Sequence, residues 1–159
     1  MSGFVATAPT TQADPGDTDT IRNDGWFPDL ALSTIRATIR LDGTVTDERL
    51  RDAARYAIAS INTLLGEFKA TAQAAGSATI ADVSPAEIDS EKRLVMLYRR
   101  AVFSTIKADL LERYRDFDST DSGLRRVLDM EDNIGEQRRN ASWAVRDILG
   151  KPHTVVELI

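Results

Sequence analysis

Two long amphipathic stripes constrain this 159-residue sequence most strongly. Apolar residues recur at steps of three and four, a spacing that places them on one face of an α-helix. Each such face must be covered by another apolar surface, so the sequence predicts helices over 47–75 and 90–117 that bury one another. The first stripe consists of Leu50, Ala54, Ala57, Ile58, Ile61, Leu64, Leu65 and Phe68, and the second of Leu94, Leu97, Tyr98, Ala101, Val102, Ile106, Leu110, Leu111 and Tyr114.

Two further stripes extend this helical domain. Leu32, Ile35 and Ile39 predict a helix over 29–39, and a pattern that starts at Leu124 predicts another over 121–149. The fold class is therefore all-α, and the four helices are expected to form a bundle-like domain. The residues predicted to lie in or near its core are Leu65, Phe68, Leu97, Tyr98, Val102, Val127 and Trp143.

Capping and stop signals set the ends of these helices. Thr46 is the expected N-cap of the 47–75 helix, and either Asp89 or Ser90 is the expected cap of the 90–117 helix. The polar run over 118–121 provides a cap for the last helix. The connector over 76–89 is expected to hold a turn of structure around Ile80 and Val83, and the 150–152 run Gly-Lys-Pro is a helix stop.

The two ends of the chain lack helical periodicity. Residues 1–28 are rich in Thr, Asp, Pro and Gly, so we expect an extended arm without a packed core. Within this arm, Trp26 and Phe27 either tuck onto the domain or dock on a partner. The predicted organisation is an extended N-terminal arm over 1–28, a helical bundle domain over 29–150 and an extended C-terminal tail over 151–159.

The C-terminal tail and the start of the arm are the candidate partner-binding segments. A β-branched, apolar tail with no room for a helix either packs on its own bundle or lends a strand to a neighbouring subunit or another partner. We favour the partner, because the tail follows a helix stop and has little polar cover. The candidate partner-binding residues are Thr154, Val155, Val156, Glu157, Leu158 and Ile159, together with Phe4 and Val5.

Composition argues against several classes of function. The chain has 20 basic and 25 acidic residues, so its net charge of −5 provides no excess positive field for nucleic acid. It has no cysteine and a single histidine, His153, and shows no Ser/His/acid set or helical metal motif. We therefore expect no catalytic residue, no metal site and no cofactor. No apolar run approaches the ~18 residues of a membrane span, and no leader is visible, so we expect the protein to be soluble and intracellular when it is made.

The pairs of charged residues on the predicted helices are expected to lie on the protein surface and not to form a catalytic, metal or phosphate site. Carboxylates three residues apart share a helix face, and without histidine they are expected to be solvated. The adjacent arginines lie among acids, which favours ion-paired or interface surface over phosphate binding. The carboxylate pairs are Asp109 with Glu112 and Asp129 with Asp132, and the arginine pairs are Arg99-Arg100, Arg125-Arg126 and Arg138-Arg139.

Three longer strings carry a resemblance to a known family. They are GWFPDLALSTIRATIRLDGTVTDERLRDA over 25–53, RLVMLYRRAVFSTIKADLLERYRDFDST over 93–120 and WAVRDILGKPHTVVELI over 143–159. Together they resemble the head completion and stabilisation (GpL-type) family of contractile-tailed bacteriophages. The resemblance covers about residues 25–159 and leaves the first part of the arm outside it. These strings encode packing and tails, so they locate no active site.

The resemblance implies a structural virion protein, a head-to-tail connector adaptor located in the phage neck. Such an adaptor binds the portal protein after DNA packaging, stabilises the filled head and offers a platform to the tail terminator or another neck protein. It is expected to form a homo-oligomeric ring, dodecameric on the portal, through whose bore DNA passes without sequence-specific binding. The alternative is a small helical nucleic-acid-binding or regulatory module of a phage or prophage, with its arginine pairs facing a groove. The net charge argues against that alternative.

Overall fold

A computed structural model describes residues 18–41, 45–115 and 124–153 of the chain, with side chains over 18–41, 45–113 and 133–153. The described part is mostly helical, as the stripes predict. Its helices are α1 (Leu32–Ile39), α2 (Asp47–Leu64), α3 (Gly66–Ala74), α4 (Arg93–Arg115) and α5 (Leu124–Ile148), with a 3-10 turn at Ile80–Asp82. Two short antiparallel hairpins join them: β1 (Thr20–Ile21) with β2 (Leu30–Ala31), and β3 (Glu87–Ile88) with β4 (Glu91–Lys92).

Helix α4 lies at the centre of the domain. It packs along α5 and against α2, and α1 and the 3-10 turn also contact it. Of the predicted core residues, Leu65, Leu97, Tyr98 and Val102 are buried, which confirms these four predictions. Phe68 packs at the edge of the core. Trp143 is half-buried, and the side chain of Val127 lies outside the described residues.

The helix predicted over 47–75 is divided. Thr46 caps α2 as expected, since its Oγ1 accepts a hydrogen bond from the backbone N–H of Arg49 at 3.4 Å. The backbone leaves the helical conformation at Leu65 (φ −97°, ψ 8°), and α3 starts at Gly66. Leu65 is nevertheless fully buried. The apolar pattern therefore runs through the break, which is why the sequence predicted one helix.

The predicted cap of the central helix is wrong. Asp89 and Ser90 both have positive φ, 50° and 63°, and lie between the paired strands β3 and β4. Two consecutive left-handed residues are the signature of a tight two-residue hairpin turn, in which Asp is tolerated because its short side chain can hydrogen-bond locally. The central helix starts three residues later, at Arg93. The cap predicted over 118–121 lies outside the described residues.

The expectation that residues 1–28 hold no packed core is also wrong for their last part. Ile21, Trp26 and Phe27 are all buried in the main core. The segment pairs as β1 with β2, and the turn between these strands brings both aromatic side chains against the helices. The structure thus places Trp26 and Phe27 on the domain. Residues 1–17 lie outside the described part of the chain.

A closed triangle of hydrogen bonds ties this hairpin to two helices. The hydroxyl of Tyr98 on α4 donates to Asn62 Oδ1 on α2 at 2.7 Å, and Asn62 Nδ2 donates to Asn23 Oδ1 at 2.8 Å. Asn23 Nδ2 completes the triangle by donating to the Tyr98 hydroxyl at 2.8 Å. Tyr98 is fully buried, so its hydroxyl needs these partners. Burial raises the pKa of Tyr98 well above its usual value, so the hydroxyl keeps its proton.

Asp24 organises the turn that follows. Its Oδ1 accepts hydrogen bonds from the backbone N–H groups of Trp26 and Phe27, both at 3.0 Å. Gly25, between Asp24 and Trp26, has the positive φ of 83° that this turn requires. Its Oδ2 pairs with Lys69 Nζ at 2.6 Å. Partial burial alone would raise the pKa of Asp24, but the hydrogen bonds from Lys69 and the two N–H groups outweigh it and lower the pKa.

The aromatic rings extend the same junction. The ring of Phe27 stacks on that of Tyr98 with 4.7 Å between the centroids, and Trp26 meets Phe27 edge-on at the same distance. The indole N–H of Trp26 donates to the carbonyl oxygen of Ser77 at 3.3 Å, and the N–H of Ile80 donates to the Trp26 carbonyl oxygen at 3.0 Å. The hairpin therefore joins α2, α3, the 3-10 turn and α4.

Tyr98→Phe tests the hydrogen-bonded triangle. The variant keeps the ring but leaves Asn62 Oδ1 without its donor, so the free energy of unfolding should fall by about 1–3 kcal/mol. Urea denaturation measures this difference. Tyr56→Phe is the matched control, because Tyr56 is 67% exposed and its change should stay within about 0.5 kcal/mol. Equal midpoints for the two variants would show that the triangle contributes no stability.

Asp24→Asn tests the ion pair with Lys69 through its pH dependence. Because folding lowers the pKa of Asp24, its contribution is fully present above the unfolded-state value of about 3.9 and is lost as the pH falls through the lower folded-state value. The variant should be less stable than the parent at pH 7, and the two should converge at about pH 2. Asp52→Asn is the control, since the nearest cation to that carboxylate lies 3.8 Å away. A constant difference between parent and variant across the acid range would contradict the assignment.

Candidate interaction surfaces

The single histidine anchors the root of the C-terminal tail. The His153 ring stacks on Trp143 with centroids 4.9 Å apart and an interplanar angle of 3°, and its Nε2 lies 2.8 Å from Asp147 Oδ1. Arg146 Nε donates to the carbonyl oxygen of Pro152 at 2.7 Å. These contacts turn the chain back along α5 after Gly150, whose φ is 64°. His153 thus directs where the tail leaves the domain.

The predicted partner-binding residues themselves lie outside the described part of the chain. This applies to Phe4 and Val5 in the arm and to Thr154, Val155, Val156, Glu157, Leu158 and Ile159 in the tail. The structure does describe the tail root. Trp143 and Asp147 are four residues apart and share one face of α5, so the tail leaves the domain along that face.

Most of the described arginines of the predicted pairs have partners within the chain. Arg99 Nη1 lies 2.6 Å from Glu91 Oε1, and Arg138 pairs with Glu112, as expected for ion-paired surface. Arg139 lies over the Trp143 ring, 5.3 Å from its centroid, and Arg100 Nη2 donates to Asn140 Oδ1 at 3.4 Å. The side chains of the third pair, Arg125 and Arg126, lie outside the described residues.

Asp109 and Glu112, the first of the predicted carboxylate pairs, each form an ion pair with an arginine. Arg113 Nε lies 3.1 Å from Asp109 Oδ2, and Glu112 pairs with Arg138 across the interface between α4 and α5. The solvated surface predicted for this pair is therefore wrong for Asp109, since its Oδ2 is buried against Arg113, and Glu112 is only partly exposed. The second pair, Asp129 and Asp132, has its side chains outside the described region.

An open groove of about 460 Å³ runs across α4 between α2 and α5. Its apolar lining comes from Ile61 and Leu64 on α2, Ala108 on α4, and Ala141 and Val145 on α5. Such a volume lies within the range of sites that bind small molecules or peptide side chains.

Two large apolar side chains of α2 are exposed, and one of them, Leu64, also lines the groove. Leu64 is 59% exposed and Tyr56 is 67% exposed, and they are eight residues apart, close to two helical turns. Leu64 belongs to the stripe that was predicted to face the core. The correction follows from geometry, since adjacent residues on a helix point about 100° apart and Leu65 takes the buried position. The apolar periodicity of the sequence included both leucines, so it could not predict which of the two is buried.

The described side chains provide little else for chemistry. Among them, no group of three or more His, Cys, Asp or Glu is placed to hold a metal ion. None of the helices in that part of the chain combines the length and the apolar character that a membrane span requires. The candidate interaction surfaces of the described residues are the groove, the exposed Leu64 at its rim and the root of the tail.

Comparison with known proteins identifies the family. The profile described as "Phage head completion protein (GPL)" matches residues 21–159. The chain is 38% identical over 144 residues to the "Head completion/stabilization protein" of Escherichia phage P2, which covers 91% of this chain and 85% of that protein. It is 25% identical over 146 residues to the "Probable head completion/stabilization protein" of Haemophilus phage HP1, covering 90% and 94% of the two chains.

No solved structure matches the chain with statistical significance. The family profile begins at Ile21, the first buried residue in the described part of the chain. It spans α1 to α5 and all residues that line the groove. The chain belongs to the phage head completion protein (GPL) family.

Proposed function

We propose that this protein is a head completion adaptor that forms a ring on the portal after DNA packaging, stabilises the filled head and provides the platform for tail attachment. The observation that carries the proposal is the family match over residues 21–159 together with the name of the phage P2 relative. The protein would then be a virion component of the neck. Its partners would be the portal protein, other copies of itself and a tail terminator or another neck protein.

The shape of the domain supports a role in assembly. Helices α4 and α5 have 23 and 25 residues, so each is about 35 Å long and offers an extended side to neighbouring subunits. Tyr56 and Leu64 leave apolar surface exposed on α2. Exposed apolar surface beside a groove is typical of a protein–protein contact.

The charge supports passage of DNA rather than its capture. The net charge is −5, and Arg99, Arg138 and Arg139 are engaged by groups of the chain itself. A ring of such subunits would repel the phosphate backbone at long range, which suits a bore through which DNA slides. For the same reason we favour the adaptor over a nucleic-acid-binding module. We further propose that the role is structural and involves no catalysis or cofactor.

Reconstitution on the portal tests this function. The purified chain, mixed with the portal protein of the phage that encodes it, should convert portal into a larger ring-shaped particle, dodecameric in the adaptor by mass measurement and electron microscopy. The tail is expected to be needed, because its aliphatic residues would be left exposed without a partner. The full-length variant Val156→Asp/Leu158→Asp should therefore lose ring formation on the portal.

Stability measurements separate this result from misfolding. The tail variant should keep the parent's melting temperature and helical circular dichroism, because under this proposal the tail docks on a partner and not on its own bundle. Ile88→Asp is the matched control, because Ile88 is 52% exposed on the β3–β4 hairpin, and it should still assemble. Binding of duplex DNA with a steep salt dependence, without any change in portal size, would favour the nucleic-acid-binding alternative.

A further inference from the structure

The groove between α2 and α5 presents an apolar lining that the described residues leave open. Ile61, Ala108 and Val145 form its depth, and Leu64 stands at its mouth with 59% of its surface exposed. Ser60 and Ser142 on the opposing helices are small, so the groove is wide enough for an inserted chain. Burying Leu64 under an apolar segment would remove this exposed surface from water.

The chain supplies a segment of matching chemistry. Thr154–Ile159 contains four aliphatic residues within six positions, at 155, 156, 158 and 159, and has a single charge at Glu157. An extended segment places alternate side chains on opposite faces, so it can insert some and leave others at the rim. Arg138 lines the groove and pairs with Glu112, but its side chain is 65% exposed, so Glu157 could share this cation at the rim.

The position at which the segment leaves the domain makes it difficult for the segment to reach the groove of its own subunit. The last described residue, His153, contacts Trp143 and Asp147, whereas Arg138, Ser142 and Val145 line the groove. Arg146 lies between these two faces, since it lines the edge of the groove and also donates a hydrogen bond to the carbonyl oxygen of Pro152. At 100° per residue these two faces lie on the order of 150° apart around α5. Because a helix with its side chains is 10–12 Å in diameter, the tail backbone would follow an arc of about 15 Å around α5 to cover that angle. Six extended residues span at most about 20 Å, so little of the segment would remain to fill the groove.

We infer that the groove of each subunit receives the segment Thr154–Ile159 of a second copy of this chain. This inference rests on the proposed ring assembly and adds the surface through which neighbouring subunits hold one another. The contact is heterologous, because the tail of one copy meets the groove of the next. Repetition of such a contact around an axis closes a ring.

Disulfide trapping tests this contact directly, because the chain has no cysteine of its own. A Leu158→Cys chain is mixed with a size-tagged Ser142→Cys chain under mild oxidation, without portal, and non-reducing gels report the mixed dimer. The mixed dimer should form several-fold faster than with an Ile88→Cys partner, since Ile88 is exposed away from the groove. Adding Leu64→Arg to the Ser142→Cys chain should return the yield to that control level.

The remaining outcomes decide against the inference. A yield equal to the Ile88→Cys control would show that the tail does not visit the groove of another copy. A chain that carries both Leu158→Cys and Ser142→Cys and closes an intramolecular disulfide in dilute solution would place the tail in its own groove. The trapping experiment contains no portal protein, so it tests the contact between tail and groove independently of the proposed function. The mixed dimer can form even if no ring assembles on the portal, and a ring can assemble on the portal even if the mixed dimer does not form. Leu64 and Ser142 are exposed, and melting curves of their variants check that the fold is retained.

Discussion

The structure depends on burial around the central helix α4. This helix meets α5 along one side and α2, α1 and the 3-10 turn along others, so elements from both before and after it in the chain cover it. Its fully buried Tyr98 brings a hydroxyl into this core, and an unpaired buried hydroxyl is costly. Asn62 and Asn23 satisfy it from α2 and from the turn after β1. One polar requirement thus aligns two helices and the N-terminal hairpin.

The same hairpin explains why the domain starts earlier than the helices do. Asp24 folds the turn by accepting two backbone hydrogen bonds and pairs with Lys69 on α3, which places Trp26 and Phe27 in the core. Asp19 further accepts hydrogen bonds from the backbone N–H and the hydroxyl of Ser33, in the first turn of α1. These hydrogen bonds lower the pKa of Asp19 and provide the cap that Ala31 lacks.

The proposed function uses surfaces that the packing of the described helices leaves open. Helix α5 contributes to the core, to the groove and to the root of the tail through three different faces, since Ile148, Ser142 and Trp143 point in different directions. The sequence marked the tail as a candidate interaction segment through its β-branched residues and the preceding stop. It did not reveal the groove, because the lining residues come from three helices and each is unremarkable within its own stripe. Of the proposed contact, the sequence could therefore predict the tail segment but not the groove.

The sequence by itself determined the helical class, the approximate positions of the main helices, the Thr46 cap and the family. Those properties depend on residues near one another in the chain, where the helical period and capping chemistry act. Tertiary structure alone decided which of Leu64 and Leu65 is buried, that Asp89 and Ser90 form a hairpin turn, and that Trp26 belongs to the core. Each of these outcomes depends on partners far along the chain, such as Ser77 for Trp26. Local pattern carries no information about such partners, because burial is a property of the assembled surfaces.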